Sequence, residues 1–224
     1  EWPAPDDNAS LAHTFEDTVN EFGDKNFIYF EDEEWTYSQT NEAANILANK
    51  LLKEGVCHSD RVVLFMENRP DYIISILALN KIGAIGVLIN TSLTGGPLIH
   101  CINSSESKKC IVGAELTPSL EGVLNEINIK EKSDIYWIKD VDNGICPEWA
   151  TNLETLLDKS QKDNLHETNN VTAKDTAFYI FTSGTTGVPK AALFPNTKIV
   201  AASANITKAG YRMTDKDCLY NCLP

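Results

Sequence analysis

The feature that most constrains how this chain can fold is a set of short apolar runs without polar alternation. They lie at residues 61–66 (Arg-Val-Val-Leu-Phe-Met), 85–89, 109–112 (Lys-Cys-Ile-Val), 135–138 (Ile-Tyr-Trp-Ile) and 178–181 (Phe-Tyr-Ile-Phe). A strand with one wet face alternates apolar and polar residues. A run apolar at nearly every position reads as a strand covered on both faces, the habit of parallel sheets. Helical segments at residues 71–82, 97–102, 118–127 and 153–157 fall between the runs. Strands alternating with helices imply right-handed βαβ crossovers. The expectation is an α/β fold, a doubly wound, mostly parallel sheet flanked by helices. In such sheets ligands gather beyond the carboxyl ends of the strands.

The flanks add local detail. Leu11, Phe15, Val19 and Phe22 recur at helical spacing, with Gly23 as a stop. Residues 27–30 and 35–37 read as a β-hairpin around the acidic turn 31–34. Ser38 is placed to cap a helix running to Glu54, with Gly55 at its C′ position. Residues 140–147 and 160–170 are polar and loop-like, and residues 196–209 form a helix that Gly210 ends.

After the run 178–181 the chain enters Thr182-Ser183-Gly184-Thr185-Thr186-Gly187-Val188-Pro189-Lys190. Gly184 and Gly187 allow φ > 0, so successive backbone N–H groups can turn toward an anion. The hydroxyls of Thr182, Ser183, Thr185 and Thr186 add donors, and Lys190 adds a mobile point charge. Pro189 fixes its own φ and biases Val188 toward extended backbone. A plain Ser/Thr/Gly turn between a strand and a helix is the competing reading. Charge argues against it. The chain carries 32 Asp+Glu against 19 Lys+Arg, a net charge of −13, yet residues 176–214 contain no acid. That stretch holds Lys190, Lys198, Lys208 and Arg212, a distribution suited to a polyphosphate. The spacing differs from a Walker A loop, which needs Gly-Lys-Ser/Thr after the glycines.

The acidic balance argues against nucleic acid or an anionic membrane surface as the main partner. Cys57, Cys101, Cys110, Cys146, Cys218 and Cys222 are dispersed, as are four histidines, so no zinc spacing occurs. Most of these cysteines sit in apolar runs and read as buried free thiols of a reducing compartment. Five Asn-x-Ser/Thr sequons, starting at Asn8, Asn90, Asn103, Asn170 and Asn205, read as chance matches in an Asn-rich chain. The window 72–89 is the most lipid-like, but Lys81, Gly83 and Gly86 favour a helix, a turn and a strand over a membrane span. No signal peptide is visible and the chain begins at Glu1, which reads as an internal fragment.

The segment 179–190, with its Thr-Ser-Gly-Thr-Thr-Gly-Val-Pro-Lys, resembles the phosphate loop of the adenylate-forming (AMP-binding) superfamily. Its Tyr179, Ile180 and Phe181, and Ala191 after the lysine, are similar to the fatty acid transport protein, or very long-chain acyl-CoA synthetase, branch. Residues 65–69 (Phe-Met-Glu-Asn-Arg), 88–93 (Leu-Ile-Asn-Thr-Ser-Leu) with His100 and Cys101, and 210–213 with 222–224 resemble the same branch. The resemblance implies an incomplete AMP-binding domain over residues 1–224, with the rest of the large domain and the C-terminal lid lying elsewhere. It implies an ATP-dependent fatty acid:CoA ligase that forms acyl-AMP and then acyl-CoA, with Mg²⁺ accompanying ATP and coenzyme A as second substrate. Residues 179–190 would bind the nucleotide phosphates, and Lys190 would act catalytically on the departing pyrophosphate. The family also implies membrane association of the whole protein through segments outside this chain, at endoplasmic reticulum, plasma membrane or peroxisome. The catalytic domain would face the cytosol. The piece alone is expected to be inactive, and none of the Mg²⁺ ligands is expected within it. Asn196 stands where relatives often carry histidine.

Two other readings stay open at this level. One is a ligase for another acid, coumarate-like or amino acid. The other is a non-catalytic fatty-acid carrier on the same fold. Elsewhere, residues 67–69 read as an ion-paired strand-end turn and His100 as a helix-face residue. Trp35, Tyr136 and Trp137 read as core.

Overall fold

A computed structural model of the chain describes residues 3–140, 144–182 and 189–221, with backbone alone for 208 and 209. The chain opens with α1 (Leu11–Phe22), β1 (Asn26–Phe30), β2 (Glu33–Thr36) and α2 (Tyr37–Lys53). The α/β alternation follows as β3 (Arg61–Phe65), α3 (Pro70–Lys81), β4 (Ile85–Leu88), α4 (Gly95–Ser105), β5 (Lys109–Gly113), the short α5 (Thr117–Glu121), β6 (Ile135–Ile138) and β7 (Thr151–Asn152). It closes with β8 (Thr176–Thr182), β9 (Lys190–Pro195) and α6 (Asn196–Ala204), which runs into a π-helical turn at Asn205–Gly210. Strands β3 to β9 form one seven-stranded sheet in the order β7-β6-β5-β3-β4-β8-β9. All its pairs are parallel except the last, where β9 returns antiparallel to β8.

The unalternating runs are explained by two covering layers. In β3, Val62 and Leu64 join one core while Val63 and Phe65 join the other. β5 and β6 divide likewise: Ile111, Tyr136 and Ile138 face the first layer, Cys110, Val112, Ile135 and Trp137 the second. The first layer is built from α1, α2 and α3, the second from α4 and α5. Both faces are apolar because both are covered. Strand β8 departs from that expectation. Only Ala177 is buried along it and the other residues are half-buried or exposed, since it lies one strand from the sheet edge with only β9 outside it.

Four local readings are corrected. Helix α2 starts at Tyr37, so β2 ends at Thr36 and Tyr37 belongs to the helix. Its N-cap is Thr36, not Ser38. The Gln39 N–H donates to the Thr36 hydroxyl at 3.1 Å and the Thr36 N–H to the Gln39 side chain at 2.9 Å, a reciprocal capping box. Residues 118–127 hold only a short helix followed by turns, because Gly122 breaks the periodic apolar face early. Among the described cysteines, Cys101 and Cys110 are buried, Cys146 is half-buried, and Cys57 and Cys218 are exposed. Burial therefore follows only those thiols that sit inside α4 and β5. In the window 72–89, α3 ends near Gly83 at φ +68°, where a Cβ would collide with the His58 ring. No described helix is long and apolar enough to cross a membrane.

Candidate functional site

Lys190 opens β9 directly opposite Thr182, the last residue of β8. Residues directly opposed in an antiparallel ladder share a face, so the hydroxyl of Thr182 and the ammonium of Lys190 stand on the same side of the hairpin neck. Both are exposed. Ser183, Gly184, Thr185, Thr186, Gly187 and Val188, which complete the sequence motif, lie outside the described residues. Pro189 is described, half-buried, immediately before the lysine.

The strand root is made by Tyr179, Ile180 and Phe181. Tyr179 and Phe181 pack against the α4/α5 layer. Ile180 pairs with Leu88 of β4 on one side and Ala192 of β9 on the other. Tyr179 to Phe181 thus root β8 in the sheet, and Thr182 and Lys190 end the two strands of the neck. β8 runs parallel to β4, which places its carboxyl end on the same edge as those of β3, β5 and β6. The sequence anticipated that edge. It did not anticipate the return strand: the chain goes from strand to loop to antiparallel strand, with α6 only afterwards.

Electrostatics separate Lys190 from the ion-paired lysines of this acidic chain. Lys25, Lys108, Lys109 and Lys162 lie 2.6–2.8 Å from carboxylate oxygens. Lys50, Lys81 and Lys174 are paired with Glu54, Glu16 and Asp6. Lys190 has no carboxylate partner among the described residues. Lys198, also in the acid-free stretch, has its ammonium 5.8 Å from the centre of the Phe194 ring, a cation–π arrangement. The described residues hold no cluster of three or more His, Cys, Asp or Glu suited to a metal ion.

The sheet's own switch point lies elsewhere and is filled. The β3 crossover passes over the α1–α3 layer toward β4, while the β5 crossover passes over the opposite layer toward β6. The crevice between the ends of β3 and β5 is occupied by Arg69, whose side chain is 6% exposed. Its guanidinium lies 3.1 Å from Glu115, 3.3 Å from Asp140 and 3.4 Å from Asp71, and it donates to the Ile138 carbonyl at 3.3 Å. Glu115 in turn accepts from the Glu67 N–H at 2.7 Å. Burial pushes the Asp71 carboxyl up, against the pull of Arg69 and helped by Glu154 and Glu33. The strand-end turn at 67–69 is thus a buried ion-pair network. A groove of about 1010 Å³ borders it, lined by Trp35, Ala43, Ile46, Ile74 and Leu153 among others. Among the described residues of 179–190, none contributes to it.

Two residues have roles the sequence did not reveal. Asn196 is fully buried; its side-chain oxygen accepts from the Leu11 N–H at 3.1 Å and the Asn80 amide at 3.0 Å, and its amide donates to the Thr172 carbonyl at 3.2 Å. It clamps α1, α3 and α6 together, with both side-chain polar atoms engaged inside the fold. His100, on α4, donates from Nε2 to the Pro189 carbonyl at 2.9 Å. The bonds from Asn196 to Leu11 and Asn80, and from His100 to Pro189, join residues 89 or more positions apart.

Residues 15–224 match the family described as AMP-binding enzyme. A medium/long-chain-fatty-acid–CoA ligase of Mycobacterium tuberculosis is 32% identical over 98% of this chain and 35% of its own length. Long-chain fatty acid transport protein 6 of Mus musculus is 32% identical over 89% of this chain and 32% of its own length. The chain therefore spans about a third of the curated relatives it matches. The crystal structure of a long-chain-fatty-acid–CoA ligase from Archaeoglobus fulgidus superposes with a TM-score of 0.73 at 22% identity, covering 92% of this chain and 40% of that one. That likeness speaks to the fold.

Proposed function

The chain belongs to the AMP-binding enzyme family, and from that premise we propose that it is the first part of the large domain of an ATP-dependent fatty acid:CoA ligase. The observation that carries the reading is the exposed Lys190, without a carboxylate partner among the described residues, facing Thr182 across the hairpin neck. In a chain of net charge −13, a cation left unpaired beside an acid-free segment suits an anionic ligand. The similarity to fatty-acid ligases and transport proteins supports fatty acid as the acyl donor.

The chemistry asks little of acid–base groups. A fatty carboxylate is already ionised near neutral pH. Its oxygen attacks the α-phosphorus of ATP, the bond to the β-phosphate oxygen breaks, and pyrophosphate leaves. The coenzyme A sulfur then attacks the acyl carbonyl and AMP leaves with the bonding electron pair. The protein's task in the first step is positioning and charge stabilisation. Thr182, Ser183, Thr185 and Thr186, with Gly184 and Gly187, would donate hydrogen bonds to the β- and γ-phosphates. Lys190 would stabilise charge building on the departing pyrophosphate, as point-charge lysines do at phosphoryl sites. Val188 and Pro189 would lead the chain into that lysine. Magnesium would supply further charge neutralisation on the phosphates; residues 176–214 contain no carboxylate to ligate it. Membrane association at the endoplasmic reticulum, plasma membrane or peroxisome belongs to the same proposal and would involve segments outside this chain.

The test is fatty-acid-dependent ATP–pyrophosphate exchange by the full-length protein. Lys190→Ala is expected to lower it about 10²-fold or more, the scale of losing one preorganised charge-stabilising donor. Exchange equal to wild type in that variant would sink the assignment. A fatty-acid carrier on the same fold predicts no exchange at all, with fatty acid bound equally well by both proteins.

A further inference from the structure

His100 does more than occupy a helix face. Its Nε2 lies 2.9 Å from the carbonyl oxygen of Pro189, across 89 residues of sequence. A carbonyl oxygen only accepts, so the ring nitrogen facing it carries the hydrogen. The Pro189 carbonyl belongs to the peptide unit whose nitrogen is that of Lys190. Because the peptide unit is planar, holding that oxygen also orients the N–Cα bond from which the Lys190 side chain departs.

The helix that presents His100 is itself firmly seated. Leu98, Cys101 and Ile102 are buried against the sheet. The Ser104 hydroxyl donates to the His100 carbonyl at 2.6 Å, and Asn103 accepts from the Asn128 N–H at 2.7 Å and donates to the Glu126 carbonyl at 2.9 Å. Lys190 is therefore constrained from two independent directions, by its pairing with Thr182 of β8 and by α4 through Pro189. This matters because β9 has no strand on its outer side among the described residues, and a strand end held on one edge alone is free to fray.

We propose that His100 is a positioning residue for Lys190, its ring N–H fixing the peptide unit from which the lysine reaches the phosphates of ATP. The inference rests on the reading of Lys190 given above. Loss of the bond leaves Lys190 chemically intact and spatially less defined. The consequence falls on the ATP side of the reaction, and fatty-acid recognition is untouched.

The experiment compares His100→Phe, His100→Gln and Lys190→Ala in the full-length protein, by ATP–pyrophosphate exchange and by urea unfolding. Phenylalanine keeps a planar ring without the donor, and glutamine restores an N–H at similar reach. His100→Phe is expected to lower kcat/KM for ATP about three- to tenfold, the size of one hydrogen bond. The KM for fatty acid and the urea midpoint stay at wild-type values, and His100→Gln recovers to within about twofold of wild type. The proposal is overturned if His100→Phe matches wild type while Lys190→Ala is inactive. It is equally overturned if the glutamine variant fails to recover, or if the loss extends to fatty-acid KM and unfolding. Full exchange by Lys190→Ala overturns the functional reading itself, and this inference with it.

Discussion

At the scale of single residues, Arg69 and Lys190 show opposite uses of a cation in an acidic chain. Arg69 is spent on structure, with Glu115, Asp71 and Asp140 around one guanidinium at the ends of β3, β5 and β6. Arginine suits the task because its rigid fork serves several acceptors at once. Replacing it with methionine leaves three carboxylates facing one another without their shared cation. Because Asp71 and Asp140 are partly exposed, the loss should be roughly 2–4 kcal/mol, below the full value for a buried pair. Urea unfolding of Arg69→Met measures it, and a change under about 0.5 kcal/mol, within the range of ordinary surface substitutions, would show the network to be ornamental. Lys190 is the converse case, a cation with no carboxylate partner among the described residues. The ion-paired turn was legible in the spacing Glu67-Asn-Arg69, but not its partners, which come from the start of α3, the turn after β5 and the loop after β6.

At the scale of elements, α1 to α4 formed where the sequence placed them, while the start of α2 was decided by its cap. Two polar residues, Thr36 and Ser38, compete to start α2. Thr36 wins because Gln39 stands three residues on, and the pair satisfies two orphan N–H groups at once. Thr36→Ala should cost about 1 kcal/mol, read as a lower melting temperature, whereas Ser38→Ala should leave it nearly unchanged. The reverse ranking would contradict the observed cap. The β8–β9 hairpin is the element least visible in sequence. Lys190-Ala-Ala-Leu-Phe-Pro195 has neither the alternation nor the β-branched content that marks a strand. It becomes one because β8 presents an open ladder edge beside it, and paired backbone is cheaper than unpaired.

At the scale of the whole molecule, two helical layers over one sheet remove nearly every central-strand side chain from water. Titratable groups trapped there couple stability to pH. Burial pushes the Cys110 thiol up to about 12 and the Tyr72 phenol up to about 12, from ordinary values of 9.0 and 10.0. Below about pH 8 both groups are essentially neutral in folded and unfolded chains alike. Above it the unfolded chain releases these protons while the fold retains them, so stability falls as pH rises toward 12. The expected result is a urea midpoint that drops between pH 8 and pH 10.5. The drop should be shallower in a Cys110→Ala, Tyr72→Phe double variant, which shares the same lysine background. Equal slopes in the two proteins would dismiss the contribution of these groups.

What depends on near neighbours could be read along the chain. Runs apolar at successive positions demanded a doubly covered parallel sheet, helical spacing located α1 to α4, and glycines, hydroxyls and a lysine in an acid-free stretch pointed to the anion-binding chemistry proposed above. Which distant groups meet emerged with the packing. Asn196 became a clamp between α1 and α3, His100 reached Pro189, three carboxylates converged on Arg69, and β9 turned back along β8. The reason is physical. Periodicity and turn chemistry are set by backbone geometry over a few residues, whereas a hydrogen-bond partner 89 or 185 residues away is chosen by how the layers pack.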